Sequence, residues 1–454
     1  MNMDFKTSMI SSDWISKGDF VYRSKNPPIF RRSYGPYLED IQGKKYFDAE
    51  AANGAALLGY DHSILEEAVA KIHGMPSLPS FAESELRLQV AEKIGTMIYK
   101  ETNQRGQIAF EIGGAQAIEL AAKIARKTTA KSQFVVFEGG YHGRSGYASQ
   151  FSASHRYRKA SGEWRIPVTR LPLPDYERSR FPGTKDEWKK WYLQEVDYLL
   201  ENEAGGLVDN SEATDIAALI VEPILNVSGM ILPDEQLFEK IIERFRRAGA
   251  LIIIDEIFTG FYRTGKPFGF CRYNMVPDMI VMSKGLTNGQ VPIGCVWAKA
   301  PLLDDMHFPP GSHSATFINN VMALAVADTV LDRYSRWETK ERDINKIEKV
   351  LSTTINHICK KSTVFLQGYA LGGLGRIILA KPIAHRLKDE ALSLSPRVLN
   401  SLQLAGIQTS CKGLVLASTG MTPDVLCFHP PIHMSIQQCN EMSEILKSFC
   451  LSYD

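Results

Sequence analysis

Leu251-Ile252-Ile253-Ile254-Asp255-Glu256 is the stretch that decides the architecture, and Met279-Ile280-Val281-Met282-Ser283-Lys284-Gly285 is its counterpart, with Lys284 29 residues after Asp255. A run rich in β-branched residues reads as a strand buried on both faces, the central type in a parallel sheet. Asp255 closes that strand at its C-terminal end, where open α/β sheets place their ligands. Lys284 follows a second short apolar run and can reach the same crevice. Lysine forms Schiff bases with carbonyls, and pyridoxal phosphate needs both such a lysine and an acid for its ring nitrogen. An isolated Asp and Lys at this distance more often make a buried ion pair or a solvated lysine, so the surrounding residues decide.

Outward from this core, helix-like stretches at 84–100, 115–128 and 234–249 alternate with strand-like runs. The latter include Phe134-Val135-Val136-Phe137 and Ala217-Ala218-Leu219-Ile220-Val221. Strands separated by helices predict a mostly parallel sheet with helices on both faces. The alternation runs to about residue 335 through a helix candidate at 319–335, and the polar stretch Arg336 to Lys349 reads as a helical passage onward. The expected division is an N-terminal segment of a small domain at 1–70, a large α/β domain at 71–340 and a C-terminal small domain at 341–454. A terminal helix is expected at 435–449.

Bulk properties exclude several function classes. With 52 basic against 51 acidic side chains, no long-range field favours nucleic acid or an acidic membrane. Seven cysteines, scattered without a CxxC pair, read as reduced thiols in a cytosolic protein and suggest no metal site. Met1-Asn2-Met3-Asp4-Phe5-Lys6 lacks the pattern of a signal peptide. No uncharged apolar stretch approaches the roughly 20 residues that span a bilayer. The expectation is a cytoplasmic enzyme with small-molecule partners.

The segment Asp255-Glu256-Ile257-Phe258-Thr259-Gly260-Phe261-Tyr262-Arg263-Thr264-Gly265 resembles the hallmark of class III (ω-type) aminotransferases. Pro277-Asp278-Met279-Ile280 and Ser283-Lys284-Gly285-Leu286-Thr287-Asn288-Gly289 keep that family's order and spacing. Gly35-Pro36-Tyr37-Leu38-Glu39-Asp40 with Gly43-Lys44-Lys45-Tyr46-Phe47-Asp48 resembles its N-terminal hairpin, and Phe428-His429-Pro430-Pro431-Ile432 its tail motif. The resemblance implies a fold-type I enzyme: a mostly parallel central sheet flanked by helices, with smaller N- and C-terminal α+β parts, acting as a homodimer. It implies pyridoxal 5'-phosphate as cofactor, joined to Lys284 as a Schiff base, with Asp255 on the ring nitrogen.

Further roles come by the same resemblance. Gly114 and Ala115 stand in the phosphate loop, where glycines opening a helix let backbone N–H groups approach an anion. Ala115 lacks the hydroxyl usual there. Thr316, in His313-Ser314-Ala315-Thr316-Phe317, is implied to reach the phosphate across the dimer interface. Tyr141 would stack on one ring face with His142 beside it, and Ile257 would pack the other, two positions along the strand direction from Asp255. Glu222 would support the cofactor's polar edge, or simply cap its strand.

The substrate side departs from the family. Many relatives hold a carboxylate with an arginine where Cys427 stands, and others with a mobile arginine whose place is taken by Ala417. Cysteine cannot replace a bidentate guanidinium. Leu225-Asn226-Val227 lacks the family's glutamate switch, and Phe258 replaces a glutamine common in glutamate-using members. Arg144 and Arg376 are candidate carboxylate ligands. If the missing arginine sets specificity, Cys427→Arg improves use of glutamate. The reading is therefore an aminotransferase with an atypical substrate pair. A racemase, epimerase or aminomutase on the same scaffold is the alternative, and a catalytically idle scaffold a third.

Overall fold

The computed structural model describes residues 16, 27–76, 78, 81–154, 166–202, 204–208, 214–409, 411–418 and 423–453; Met1 to Lys6 lie outside these. Its strands are β1 (Phe30–Tyr34), β2 (Tyr37–Asp40), β3 (Lys45–Asp48), β4 (Gly106–Glu111), β5 (Gln133–Phe137), β6 (Val168–Leu171), β7 (Ile216–Val221) and β8 (Leu251–Asp255). They continue with β9 (Met279–Met282), β10 (Gly294–Lys299), β11 (Phe365–Leu371), β12 (Leu374–Leu379), β13 (Gly413–Val415), β14 (Ala417–Ser418) and β15 (Val425–Phe428).

Seven strands form the central sheet, in the order β4-β10-β9-β8-β7-β5-β6. Strand β8 lies parallel to β7 on one side and β9 on the other. Its alternation explains why the whole run is apolar. Ile252 and Ile254 pack into the core on one face and Ile253 into the core on the other, all three fully buried. Each such side chain contributes about 1.5–3 kcal/mol on leaving water. One face is covered by helices Lys185–Glu201, Glu235–Arg247 and Val321–Arg336, the other by Gly114–Thr129. Strand β10 runs antiparallel to both neighbours, so the sheet is mostly rather than wholly parallel.

The predicted helices 84–100, 115–128 and 234–249 appear as Glu85–Thr102, Gly114–Thr129 and Glu235–Arg247. The last is capped by Asp234, whose carboxylate accepts from Leu237 N–H at 3.2 Å. The polar passage after Arg336 becomes the helix Lys340–Lys361, because Ile344, Ile347, Leu351, Ile355 and Ile358 repeat at helical spacing and are buried. Two four-stranded sheets flank the centre. In one, the N-terminal strands β1-β2-β3 are joined by β13 from the far end of the chain, parallel to β3. The other has the order β11-β12-β15-β14.

Arg263 ties these parts together. Fully buried, it donates to Gly373 O at 3.2 Å, Pro430 O at 2.5 Å and Gly54 O at 3.2 Å, so one guanidinium serves three distant segments. Burial lowers its pKa to about 10, which leaves it charged at neutral pH. Arg263→Met is expected to strand three buried carbonyls, each at about 1–3 kcal/mol. The loss should therefore reach at least about 3 kcal/mol, read as a lowered urea midpoint; an unchanged midpoint contradicts this account.

Candidate active site

The carboxyl ends of the parallel strands β5, β7, β8 and β9 lie along one edge of the central sheet, and the residues that follow them meet there. Asp255, the last residue of β8, is 4% exposed. Its Oδ2 lies 2.8 Å from Nδ1 of buried His142, and its Oδ1 accepts from Ile257 N–H at 3.0 Å. If the carboxylate accepts here, Nδ1 carries the hydrogen, which sets the tautomer. Burial drives the His142 pKa down, but the bond to Asp255 and the charges of Asp255 and Glu222 outweigh it and leave the pKa raised. His142 N–H donates to Ser152 Oγ at 2.9 Å, fixing the loop that carries it.

Glu222 follows β7 and is buried. Its Oε1 accepts from Tyr141 N–H at 2.7 Å and its Oε2 from Asn226 N–H at 3.3 Å. Burial first, and then the charge of Asp255, raises its pKa to about 7 despite these bonds. Glu222 thus holds the Tyr141 turn in place. Glu256, beside Asp255 in sequence, points elsewhere: it accepts from Thr259 Oγ1 at 2.6 Å, Gly269 N–H at 2.8 Å and Phe270 N–H at 2.7 Å. Of the adjacent acids, Asp255 faces the crevice and Glu256 organises the following loop.

Lys284 follows β9 after one residue, with φ of +38°. A non-glycine residue in the left-handed region stores strain that surrounding structure must hold. Its Nζ sits 4.9 Å from the centre of the Phe258 ring. Burial lowers its pKa to about 8; Asp255 and Glu222 act against this and Arg263 with it. A lowered pKa means the neutral, nucleophilic amine grows in as pH rises through about 8, well below an ordinary lysine. We therefore expect the rate of pyridoxal phosphate attachment to apoprotein, followed by absorbance, to rise with a midpoint near 8; a midpoint near 10.5 would contradict this microenvironment.

Gly113 adopts extended backbone and Gly114 opens the helix Gly114–Thr129. A Cβ at Gly114 would come within 2.9 Å of Ile257 Cδ1. The helix N-terminus therefore packs directly against the turn after Asp255. Gly143, with φ of +120°, approaches Ala115 so closely that a Cβ would lie 2.6 Å from the Ala115 Cβ. Since β8 ends at Asp255, Ile257 lies in the turn that follows and not, as the sequence suggested, along the strand. A lysine of lowered pKa, a buried acid–histidine pair and backbone N–H groups at a tight helix N-terminus are the donor set pyridoxal phosphate requires.

Tyr141 is partly buried, with the exposed Arg144 guanidinium 5.8 Å from its ring centre. Thr316 is exposed, next to Phe317 at 66% exposure. Cys427 is buried, and burial pushes its thiol up to about 12 in spite of Arg376 and Arg178. Pairing places Tyr369 opposite Arg376, Arg376 opposite Cys427, and Cys427 opposite Ala417. Directly paired residues share a face. The two positions read separately as missing arginines are therefore neighbours in one row, with a buried arginine one strand away. Arg376 stands 5.4 Å from the Tyr369 ring centre and donates to Met230 O at 3.4 Å. Ile224, Met230, Phe258, Leu374, Ala417 and Cys427 belong to one apolar cluster.

Sequence reasoning assigned no role to two further residues. Arg263 was visible only as a letter of the hallmark motif. His429 was one letter of the tail motif, yet its ring packs edge-on to Phe258 at 5.5 Å. Another feature had no signal in composition. Ala51, Ala52, Asn53 and Gly54 have φ of +49°, +52°, +57° and +78°, a left-handed turn. Asp48 holds it by accepting from Glu50 N–H at 2.8 Å and Ala51 N–H at 2.9 Å.

A sheet of this order with such a crevice is that of a pyridoxal phosphate enzyme, and comparison with known proteins agrees. The profile described as Aminotransferase class-III matches residues 21–450, and the chain belongs to that family. It is 31% identical to an acetylornithine aminotransferase of Streptococcus mutans, over 67% of this chain and 70% of the other. It is 25% identical to an alanine/serine racemase of Pyrococcus horikoshii, over 93% and 85%. The solved omega transaminase from Pseudomonas jessenii in complex with PMP shares the fold, with a TM-score of 0.77 at 22% identity over 93% and 92%. Class III aminotransferases are fold-type I enzymes that use pyridoxal phosphate. Among the described residues no helix is long and apolar enough to cross a membrane.

Proposed function

We propose that this chain is an aminotransferase whose cofactor is held covalently by Lys284 and whose amine substrate lacks the usual carboxylate anchor. The observation that carries the reading is Lys284 itself: a half-buried amine at the end of β9, its pKa lowered to about 8, in the electrostatic reach of Asp255 and Glu222. Bound pyridoxal phosphate supplies an aldehyde for the amino group and a ring that accepts electrons from the substrate α-carbon. Gly114 and Ala115 N–H groups would hold its phosphate, Tyr141 and Ile257 would line its ring, and Asp255, oriented by His142, would serve its ring nitrogen. Glu222 acts by fixing the Tyr141 turn. With the cofactor bound, Lys284 Nζ would accept the proton from the substrate α-carbon and give it back. Overall transfer would need water for the oxygen of the carbonyl product and a second oxo compound to receive the amino group.

The exposed pair Thr316 and Phe317 supports a homodimer in which Thr316 reaches the partner's phosphate site. The pairing of β13 with β3 supports residues 1–70 and 341–454 as two parts of small-domain structure around a large domain at 71–340. A cytoplasmic enzyme fits seven cysteines of which none forms a disulfide. Similarity to an alanine/serine racemase favours one second reading, isomerisation without any oxo acceptor. Amines and amino acids mixed with holoenzyme, with no oxo acid present, separate the two. Accumulation of the aminated cofactor supports transfer. An amino acid that changes configuration or positional isomer without it supports isomerisation, and observing neither would overturn both.

The row across β11-β12-β15-β14 alters the expectation for Cys427→Arg. A new guanidinium would lie directly opposite Arg376 and near Arg178, where the buried acid Asp175 already answers both, and an unpaired buried charge costs about 3–5 kcal/mol. We expect the single substitution to destabilise the protein without improving glutamate use. Cys427→Arg with Arg376→Leu should raise kcat/KM for glutamate about tenfold or more, as one good charge-assisted contact allows. A gain from the single substitution equal to that of the pair would refute the repulsion.

A further inference from the structure

The strained backbone of Lys284, with φ of +38°, must be held by what surrounds it. Lys284 opens one turn of 3-10 helix, Lys284–Thr287, and Asn288 closes that turn in the left-handed region at φ of +53°. Asparagine adopts this conformation more readily than most residues. Asn288 N–H serves the carbonyls of both Gly285 and Lys284, and Gly289 N–H donates to Lys284 O at 3.1 Å. The backbone of the closing residue thus fixes the lysine's own peptide.

The side chain of Asn288 ties that turn to a distant segment. It is 2% exposed. Its Oδ1 accepts from Leu58 N–H at 2.8 Å and its Nδ2 donates to Gly59 O at 2.8 Å. Both ends of the amide are used on adjacent residues, which also fixes its orientation. A Cβ on Gly285 would lie 2.6 Å from Leu57 Cδ1, so the same segment packs closely on the turn. Other parts of the molecule restrain the neighbouring positions. Ser283 Oγ donates to Ile293 O at 2.7 Å, Thr287 Oγ1 to Val291 O at 2.7 Å, and Tyr334 OH to Gly285 O at 3.1 Å.

The charged groups that act on Lys284 Nζ are Asp255, Glu222, Glu50 and Arg263. The Phe258 ring stands 4.9 Å away, with the neutral His429 ring edge-on behind it. Asn288 carries no charge. It can act on the amine only by setting where the turn places it.

We propose that Asn288 is a positioning residue for Lys284: its paired bonds to Leu58 and Gly59 lock the turn that aims the amine, so the N-terminal segment takes part in building the site. The use to which Lys284 is put rests on the proposed aminotransferase reading, whereas the contact is testable without cofactor.

Competitive labelling of full-length apoprotein with acetic anhydride over a pH series, read by peptide mass analysis, gives the titration of Lys284 alone. Asn288→Gly keeps the left-handed conformation and removes both side-chain bonds. Wild type should titrate near 8, and Asn288→Gly about one unit higher or more, towards an ordinary lysine, as the released amine gains water. Gln290→Ala is the control. Gln290 Nε2 donates to Asp61 O at 2.8 Å, in the same N-terminal segment but outside the turn. Its loss should leave the Lys284 titration at the wild-type value, whatever it does to the melting temperature. An unchanged titration in Asn288→Gly overturns the assignment. An equal rise in Gln290→Ala also does, because docking of the whole segment would then be the cause. Should Asn288→Gly not fold, Asn288→Ser takes its place with the same expectation. Failure of both to fold overturns the assignment too, since Asn288 would then serve the fold and not the lysine. A wild type that titrates near 8 yet takes up no pyridoxal phosphate would sink the aminotransferase reading and leave the Asn288 contact standing.

Discussion

Lys284→Ala is expected to end covalent retention of pyridoxal phosphate and to lower turnover by about 10³-fold or more, the range for loss of a positioned acid–base group combined with a nucleophile. The fold should survive. Lys284 is a half-buried amine whose pKa is lowered by desolvation, so its removal takes away a group that the site disfavours as a cation. Alanine at φ of +38° remains strained, as lysine was, and neither gains nor loses much there. Reduction of the holoenzyme with borohydride followed by peptide mass analysis gives a direct check. Wild type should carry the reduced cofactor on the peptide containing residue 284, and the variant on none. A persistent adduct elsewhere, with turnover intact, would remove Lys284 from the chemistry.

Asp255→Asn has the second largest expected effect, about 10²–10³-fold in turnover, the scale on which one preorganised electrostatic group acts. A neutral amide is close in shape, so Ile257 N–H keeps its acceptor and the strand end keeps its path. The loss is charge. Asp255 opposes burial at His142, and without it His142 retains only the more modest pull of Glu222. The His142 pKa should therefore fall in the variant, since its bond and charge partner is what raised it. Nuclear magnetic resonance of the imidazole reads this independently of turnover. A slow enzyme with an unchanged His142 titration would mean that Asp255 acts on something other than this pair; near-normal turnover would defeat the assignment outright.

The two effects differ in how visible their causes were. Asp255 and Lys284 stand at the ends of apolar runs, and strand periodicity with the position of ligand crevices in α/β sheets already marked them. His142 as the partner of Asp255 was not visible, since 113 residues separate them and no local pattern encodes which loop crosses the end of β8. Glu222 and Glu256 show the same limit. Each follows or sits near an apolar strand, yet Glu222 reaches over to the Tyr141 turn while Glu256 turns away to the loop at Gly269.

The order of apolar runs and helical stripes in this chain was enough to determine a mostly parallel sheet, and hallmark residues were enough to determine the family. Both are local: a strand buried on two faces must be apolar at every position, and a crevice lysine must follow one. Tertiary structure alone decided which distant residues meet. Strand register set Cys427 between Arg376 and Ala417, turning two separate absences into one apolar row beside a buried cation. The left-handed turn at Ala51–Gly54 and the three carbonyls on Arg263 brought Gly54, Phe258 and His429 around Lys284. Such meetings depend on long-range packing, in which each side chain's neighbours are set by the whole core and not by the residues beside it in sequence.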